Sequence, residues 1–369
     1  MKGTYVNLKR FGTSAALLAA GALTLSACGG GPDASAGSGG EAGSEGGVSG
    51  ALTGGGASSQ ESAMNAWSQA FAEANGGATV NYDPVGSGSG REGFINGQYS
   101  FAGSDAPMDD EEKSQAEAVC GPEGVFHVPA YVSPVAVAFN LEGVDTVNMD
   151  AETIAKVFSG EITSWNDEAI ASQNEGVELP DTKITVVHRA DDSGTTENFT
   201  AYLAEAAGDA WKYDEVETWP SEIAAESAQQ TSGVVSLAQS TDGAITYADA
   251  SQVGDLGTVS VGVGDEYVPY SAEAAAAAVS SSEAHEDGSV ELDRSTEEAG
   301  VYPIVLVSYH IYCQQYQDQE TADLAKAFGE FVISEEGQQA AADSAGSAPI
   351  DDATRDAAAK HLAAVGVQG

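Results

Sequence analysis

Basic residues are scarce in this chain: 13 Lys and Arg stand against 57 Asp and Glu in 369 residues, a formal charge of −44. A field of that sign repels nucleic acid, which is excluded as a partner. It also repels small anions at long range, so any anion site must win through local donors. Cysteine is nearly absent, with Cys28, Cys120 and Cys313 the only three. They show no paired spacing and the five histidines are scattered, so neither a metal nor a cofactor is expected. No G-x-S-x-G elbow occurs, and the apolar stretch Ala15 to Leu25 is short for a membrane span. Hydrophobic residues at 42% and aromatics at 7% nevertheless suit a folded chain, long enough for two domains.

What is present begins with a targeting segment. Lys2, Lys9 and Arg10 precede the apolar run, which closes on Leu25-Ser26-Ala27-Cys28. That ending resembles the bacterial lipobox. The resemblance implies a signal peptide over 1–27 and a lipid on the Cys28 sulfur, anchoring the chain to the outer face of the cytoplasmic membrane. A plain transmembrane anchor is the competing reading. Loss of those three cations makes the mature chain more acidic still. Cys120 and Cys313 then read as a disulfide in an oxidising compartment, with two buried free thiols as the alternative. Residues 28–47 are almost wholly Gly, Ser, Ala and acid, a flexible tether spanning roughly 25 Å.

Four polar turns follow, three of them at the end of a strand pattern. Ala51 to Ser59 reads as a strand breaking into glycines before a helix with Met64, Trp67, Ala70 and Phe71 on one face. Ser58 and Glu61 fit a capping box there. A strand over Ala78 to Val85 runs into Gly86-Ser87-Gly88-Ser89-Gly90, and a helix is expected from Arg91. Gly88, Gly90 and Gly93 match G-x-G-x-x-G, but no acidic residue follows at the spacing a dinucleotide fold needs. Asp105 sits in a third turn, ahead of a helix start at Asp109 to Glu112. The fourth lies between strand Ile184 to Val187 and a helix from Glu197. It contains Arg189, Asp191, Asp192, Ser193, Gly194 and Thr195. Helix N-termini, small hydroxyls and one guanidinium fork are the chemistry of a site for a tetrahedral oxyanion. The bland alternatives are a simple N-cap for Ser193 and an ordinary turn aspartate for Asp105.

In order, these pieces resemble the phosphate-binding component of the bacterial high-affinity phosphate ABC importer. The matching stretches are L-T-G-G-G-A-S at 52–58, V-N-Y-D-P-V-G-S-G-S-G at 80–90 and F-A-G-S-D-A-P-M at 101–108. They continue through V-F-S-G-E-I-T-S-W-N-D at 157–167, V-V-H-R-A-D-D-S-G-T-T at 186–196, Y-P-I at 302–304 and A-G-S-A-P-I at 345–350. The resemblance implies an α/β periplasmic-binding-protein fold of type II, with the ligand cleft between two lobes joined by a hinge. Lobe I would comprise 48–130 and 302–369, and lobe II 131–301. Both cysteines would then lie on lobe I.

Carried over residue by residue, the implied phosphate ligands are Ser58, Ser59 through its N–H, Ser87 and Asp105 from lobe I. From lobe II come Arg189, Ser193, Gly194 and Thr195, with Asp191 bracing the arginine. Two departures stand out: Ser59 where relatives often carry an aromatic, and Asp192 where a glycine is common. The implied function is capture of inorganic phosphate and delivery to a membrane permease, without catalysis. A binder of another oxyanion and a secreted phosphoester hydrolase are the rivals. The hydrolase reading lacks a paired nucleophile, and His188 reads as a packing residue. The C-terminal part should hold a strand over Ile304 to Tyr309 and helices over Ala325 to Ile333 and Asp352 to Val365. Gly233 to Tyr247 is expected to form turns and strands.

Overall fold

The computed structural model describes residues 47–280 and 282–369, so the signal peptide, Cys28 and nearly all of the tether lie outside it. The strands begin with β1 (Ser49–Gly56), β2 (Gly77–Asp83), β3 (Phe101–Ser104) and the long β4 (Val125–Phe139). They continue with β5 (Thr146–Met149), β6 (Thr185–Arg189), β7 (Glu226–Ala228), β8 (Ala244–Asp249), β9 (Gly257–Val263) and β10 (Glu266–Val268). A short hairpin, β11 (Glu283–Ala284) and β12 (Val290–Glu291), precedes β13 (Val305–Cys313). The hydrogen-bonded path runs β2-β1-β3-β13-β4-β8-β6-β7, with β9 also on β4, and β5 and β10 on β9. Its two ends are parallel and its middle antiparallel.

The middle is the antiparallel pair β4/β13. Fourteen of the 15 residues of β4 are buried, as are all nine of β13, which is why both read as continuous apolar runs rather than alternating ones. The first ten residues of β4 lie along β13 and the last five along β8, so one strand belongs to both halves of the sheet. Between Ser308 and Tyr309 the register slips: Ser308 faces Tyr131 while Tyr309 faces Pro129, leaving Ala130 as an extra residue. Such a bulge bends its strand and changes where side chains point.

Helices cover the sheet: α1 (Glu61–Ala74), α2 (Ser87–Ile95), α3 (Asp110–Cys120), α4 (Ala151–Phe158), α5 (Glu168–Ala171), α6 (Gly194–Ala206) and α7 (Gln230–Ser240). The remainder are α8 (Ala272–Ser280), α9 (Gln319–Val332), α10 (Glu335–Ala345) and α11 (Asp352–Ala363). α1 buries Ala63, Met64, Trp67 and Phe71. Trp67 Nε1 donates to the Gly337 carbonyl at 2.7 Å, and Phe71 meets Phe328 edge-on, so the C-terminal helices close over the first strands.

Several expected boundaries shift for local reasons. α2 starts at Ser87, so the glycine-rich stretch is the first turn of the helix and not a loop ahead of it. Its glycines serve close packing: a Cβ on Gly90 would lie 2.3 Å from the Gly56 Cα. α6 likewise starts at Gly194, three residues before the expected Glu197. Gly233 lies inside α7, so the segment expected as turns and strands is largely helical, though Thr241 to Tyr247 does turn into the buried β8. α10 is not among the expected helices, because its buried face consists of Gly337, Gln338, Ala341 and Ala345, with no large apolar side chain to mark it.

Cys120 and Cys313 form a disulfide with Cα atoms 4.9 Å apart, tying the end of α3 to the end of β13 across 193 residues. A loop that long carries a closure entropy of about 5 kcal/mol in the chain-entropy model. Replacing both cysteines by serine should therefore lower stability by about 2–5 kcal/mol, read as a reduced denaturation midpoint with an m-value that rises as the freed unfolded chain exposes more surface. An unchanged midpoint would mean that the cross-link adds nothing to the fold.

Candidate functional site

The glycine end of β1 delivers Ser58, Ser59 and Gln60 as one 3-10 turn, all buried. Ser58 is not the helix cap its spacing with Glu61 implied: α1 is capped without a side-chain bond. Its hydroxyl reaches instead to the start of α7, where it accepts from the Thr231 N–H at 2.9 Å and lies 3.0 Å from the Thr231 hydroxyl. Gln230, just before, has φ of 64°, the one positive value outside glycine among the described residues. Its N–H is held by Asp191 Oδ1 at 2.9 Å, which is how a strained backbone persists at a site.

Asp105 lies at the centre. Ser59 Oγ donates to both its oxygens, at 2.8 and 2.6 Å, Ser308 to Oδ1 at 2.7 Å and Thr195 to Oδ2 at 3.0 Å. Its own N–H donates to Ser87 Oγ at 3.2 Å. Burial raises the Asp105 carboxyl above its ordinary value, and the hydroxyls of Ser59, Ser308 and Thr195, with the Arg189 charge, pull the other way. Its two oxygens are thus surrounded by hydroxyl donors, which favour the ionised acceptor form against the burial.

Arg189 ends β6, where the buried apolar strand hands over to the polar turn. Its Nε donates to Asp191 Oδ1 at 2.9 Å, and Nη2 bonds Oδ2 of the same carboxylate. Nη1 lies 3.5 Å from the Thr231 hydroxyl that meets Ser58. Its backbone N–H donates to the Tyr247 hydroxyl at 3.3 Å. Ser193 caps α6, accepting from the Thr196 N–H at 3.2 Å, so the bland reading of this residue holds. That bond uses only an acceptor lone pair and leaves the hydroxyl proton free to donate elsewhere. A Cβ on Gly194 would come within 2.9 Å of Ser87 Oγ and 3.0 Å of Asp105 Cβ, so glycine lets the α6 N-terminus close on the Asp105 turn. Gly194→Ala should accordingly weaken anion binding roughly tenfold through incomplete closure. Titration of the variant against the parent checks this; equal affinities would remove the steric role.

Seven of the eight expected positions are brought together by these contacts, with Thr231, Ser308 and Asn198 among them; Ser193 adjoins Gly194 in the chain, and its side chain bonds only its own helix. Asn198 Nδ2 donates to the Asp105 carbonyl at 2.7 Å and to the Gly194 carbonyl at 2.8 Å, and its Oδ1 is bonded by Arg294 Nη2. Sequence reading missed these because none stands in a turn. Asn198 and Thr231 lie within helices, Ser308 within a buried strand and Arg294 in the acidic segment that carries little periodicity. Arg91 makes a second bridge: Nη2 reaches Glu217 Oε1 at 2.8 Å and Nη1 the Ser104 hydroxyl at 3.0 Å. Asp192 turns outward, exposed, with the Thr218 hydroxyl on its Oδ1. His188 stacks on Trp219 at 5.3 Å, as a packing residue would. A cavity of about 670 Å³ opens beyond Asp105 toward Arg294, but of the eight residues only Asp105 lines it.

A curled mixed sheet with helices on its faces and anion-type turns meeting at strand ends is a periplasmic-binding-protein-like architecture. A family model described as a PBP superfamily domain matches residues 36–336. Relatives include the phosphate-binding protein PstS2 of Mycobacterium bovis, 36% identical over 337 residues covering 88% of this chain and 90% of the relative. The phosphate-binding protein PstS 3 of Mycobacterium leprae is 35% identical over 360 residues, 94% of this chain and 96% of that one. The phosphate binding protein of Stenotrophomonas maltophilia superposes with a TM-score of 0.65 at 20% identity, covering 85% and 94% of the two chains. The chain belongs to the PstS family of phosphate-binding proteins within the PBP superfamily.

Proposed function

We propose that this protein captures inorganic phosphate in the cleft between two lobes and hands it to the membrane permease of an ABC importer, performing no chemistry on it. The carrying observation is Asp105, a buried carboxylate ringed by hydroxyl donors and placed against the N-terminus of α6, with Arg189 as the local cation. Phosphate near neutral pH keeps at least one proton and can donate it to Asp105. Sulfate keeps none and would meet the carboxylate acceptor to acceptor. A mispaired buried group of that kind costs several kcal/mol.

In this reading Ser58, Ser59, Ser87 and Asp105 hold the anion from lobe I, and Arg189, Ser193, Gly194 and Thr195 from lobe II. Asp191 braces Arg189. The lobes are 48–130 with 302–369, and 131–301, so the chain crosses near Tyr131 and again near Tyr302. Ligand contacts from both sides favour the closed arrangement that a permease would recognise. The protein works outside the cytoplasmic membrane, held there by lipid on Cys28. No helix among the described residues is long and apolar enough to cross a membrane.

Calorimetric titration of the purified protein, unfolded and refolded to strip bound anion, tests the reading. One-to-one phosphate binding with no sulfate heat is expected. Equal binding of both anions would favour a general oxyanion binder, and turnover of phosphate esters would favour a hydrolase.

A further inference from the structure

Gln60 is fully buried at the end of the first glycine turn, and its side chain runs away from the anion residues toward β13. Nε2 donates to the Tyr309 carbonyl at 2.9 Å and to the Ser308 hydroxyl at 2.8 Å, while Oε1 finds no protein partner. The Tyr309 carbonyl can only accept, so the amide nitrogen has to be the atom on that side. Turning the amide over would set two acceptors against each other. Ser308 consequently receives a proton from Gln60, and its single proton is directed to Asp105 Oδ1, 2.7 Å away. The bulge between Ser308 and Tyr309 lies where this serine meets both partners.

We propose that Gln60 and Ser308 are a specificity-determining relay that fixes the direction of one hydrogen bond and so keeps Asp105 an acceptor for protonated oxyanions. Neither residue needs to touch the ligand. The proposal rests on the phosphate reading of the cleft and adds the means by which its selectivity is held. Asp105 is deeply buried, and burial favours its neutral form, which could donate to a fully deprotonated anion. The charges that face it do not decide the matter alone. Arg189 favours the ionised form, Asp249 opposes it, and the hydroxyls of Tyr82 and Tyr131 lie in the same field. Three donating hydroxyls oppose the burial without cancelling it, and a hydroxyl free to rotate can equally present a lone pair. Gln60 occupies one of the two lone pairs of Ser308 and so biases its one proton toward Asp105.

Sulfate supplies the readout, since it stays fully deprotonated over the range in which Asp105 gains its proton. Sulfate binding that emerges on acidification therefore reports the neutral form of Asp105. The full chain and its Ser308→Ala, Ser308→Thr and Gln60→Met variants would be titrated with phosphate and with sulfate between about pH 4.5 and 8.5. Losing a donor raises the Asp105 carboxyl further, so its acceptor role should be lost at a higher pH as the solution is acidified. We expect sulfate binding to emerge about one pH unit higher in Ser308→Ala and Gln60→Met. The phosphate-to-sulfate ratio near neutrality should fall roughly tenfold. Ser308→Thr, which keeps the hydroxyl, should follow the parent. If Ser308→Ala does not fold, Gln60→Met, which keeps the Ser308 hydroxyl but removes the donor that orients it, carries the test alone. Folded variants with unchanged onset and ratio would reduce the pair to packing and overturn the relay. A parent protein that binds neither anion, or both equally at neutral pH, would instead overturn the phosphate reading beneath it.

Discussion

Asp105→Asn should bring the phosphate and sulfate affinities together, lowering their ratio by about three orders of magnitude or more. Sites built to read a hydroxyl commonly reject the analogue lacking it by about 10⁴–10⁵, and the substitution replaces the reading acceptor with an amide that can also donate. The amide would not sit comfortably. Ser59, Ser308 and Thr195 all donate to this side chain, and an Nδ2 group would face at least one of them donor to donor. Phosphate affinity should thus fall modestly while sulfate affinity rises. Competition titrations with each anion, alongside a thermal melt to show the fold intact, measure both changes. A variant that still rejects sulfate as the parent does would assign selectivity to closure or size rather than to Asp105.

Arg189→Met should cost phosphate binding about 3–5 kcal/mol, a loss of two to more than three orders of magnitude. Two effects combine. The cleft loses the cation that offsets the anion in a strongly acidic protein. Asp191 also loses the fork held against both its oxygens and keeps only the Gln230 N–H. Arg189→Lys should fall between, because a point ammonium cannot engage two oxygens in one plane. Calorimetry on the pair, with Asp191→Asn added, separates lost attraction from the stranded carboxylate. Were the methionine variant to bind within tenfold of the parent, the guanidinium would be a structural group and the helix N-terminus the main anion holder.

How far the sequence carried the site depends on the kind of residue. Ser58, Ser87 and the Arg189–Thr195 turn were legible because each stands where an apolar strand pattern breaks into small and polar residues, and Asp105 because it stands in a turn ahead of a helix start. Only such turns can offer several backbone donors together. Thr231, Asn198 and Ser308 were not, because each is a single polar residue inside a regular element, and only the tertiary fold decides what it faces. Ser58 shows the limit from the other side: its spacing to Glu61 satisfied a capping rule, yet the long-range partner at Thr231 won. The fold class followed from the ordered motifs, whereas α10 and the early starts of α2 and α6 did not. At those two N-termini glycine and serine read as loop in isolation but serve as close-packed helix turns against β1 and the Asp105 turn.

The strand β4 has one further consequence. Because it pairs with β13 along its first ten residues and with β8 along its last five, the two halves of the sheet share continuous strand backbone at that crossing. On the two-lobe reading proposed above, parting Asp105 from Thr195 would twist β4, as a torsion bar is wound. On that reading, one continuous strand would bring the proposed anion donors of the two lobes back into register at each closure.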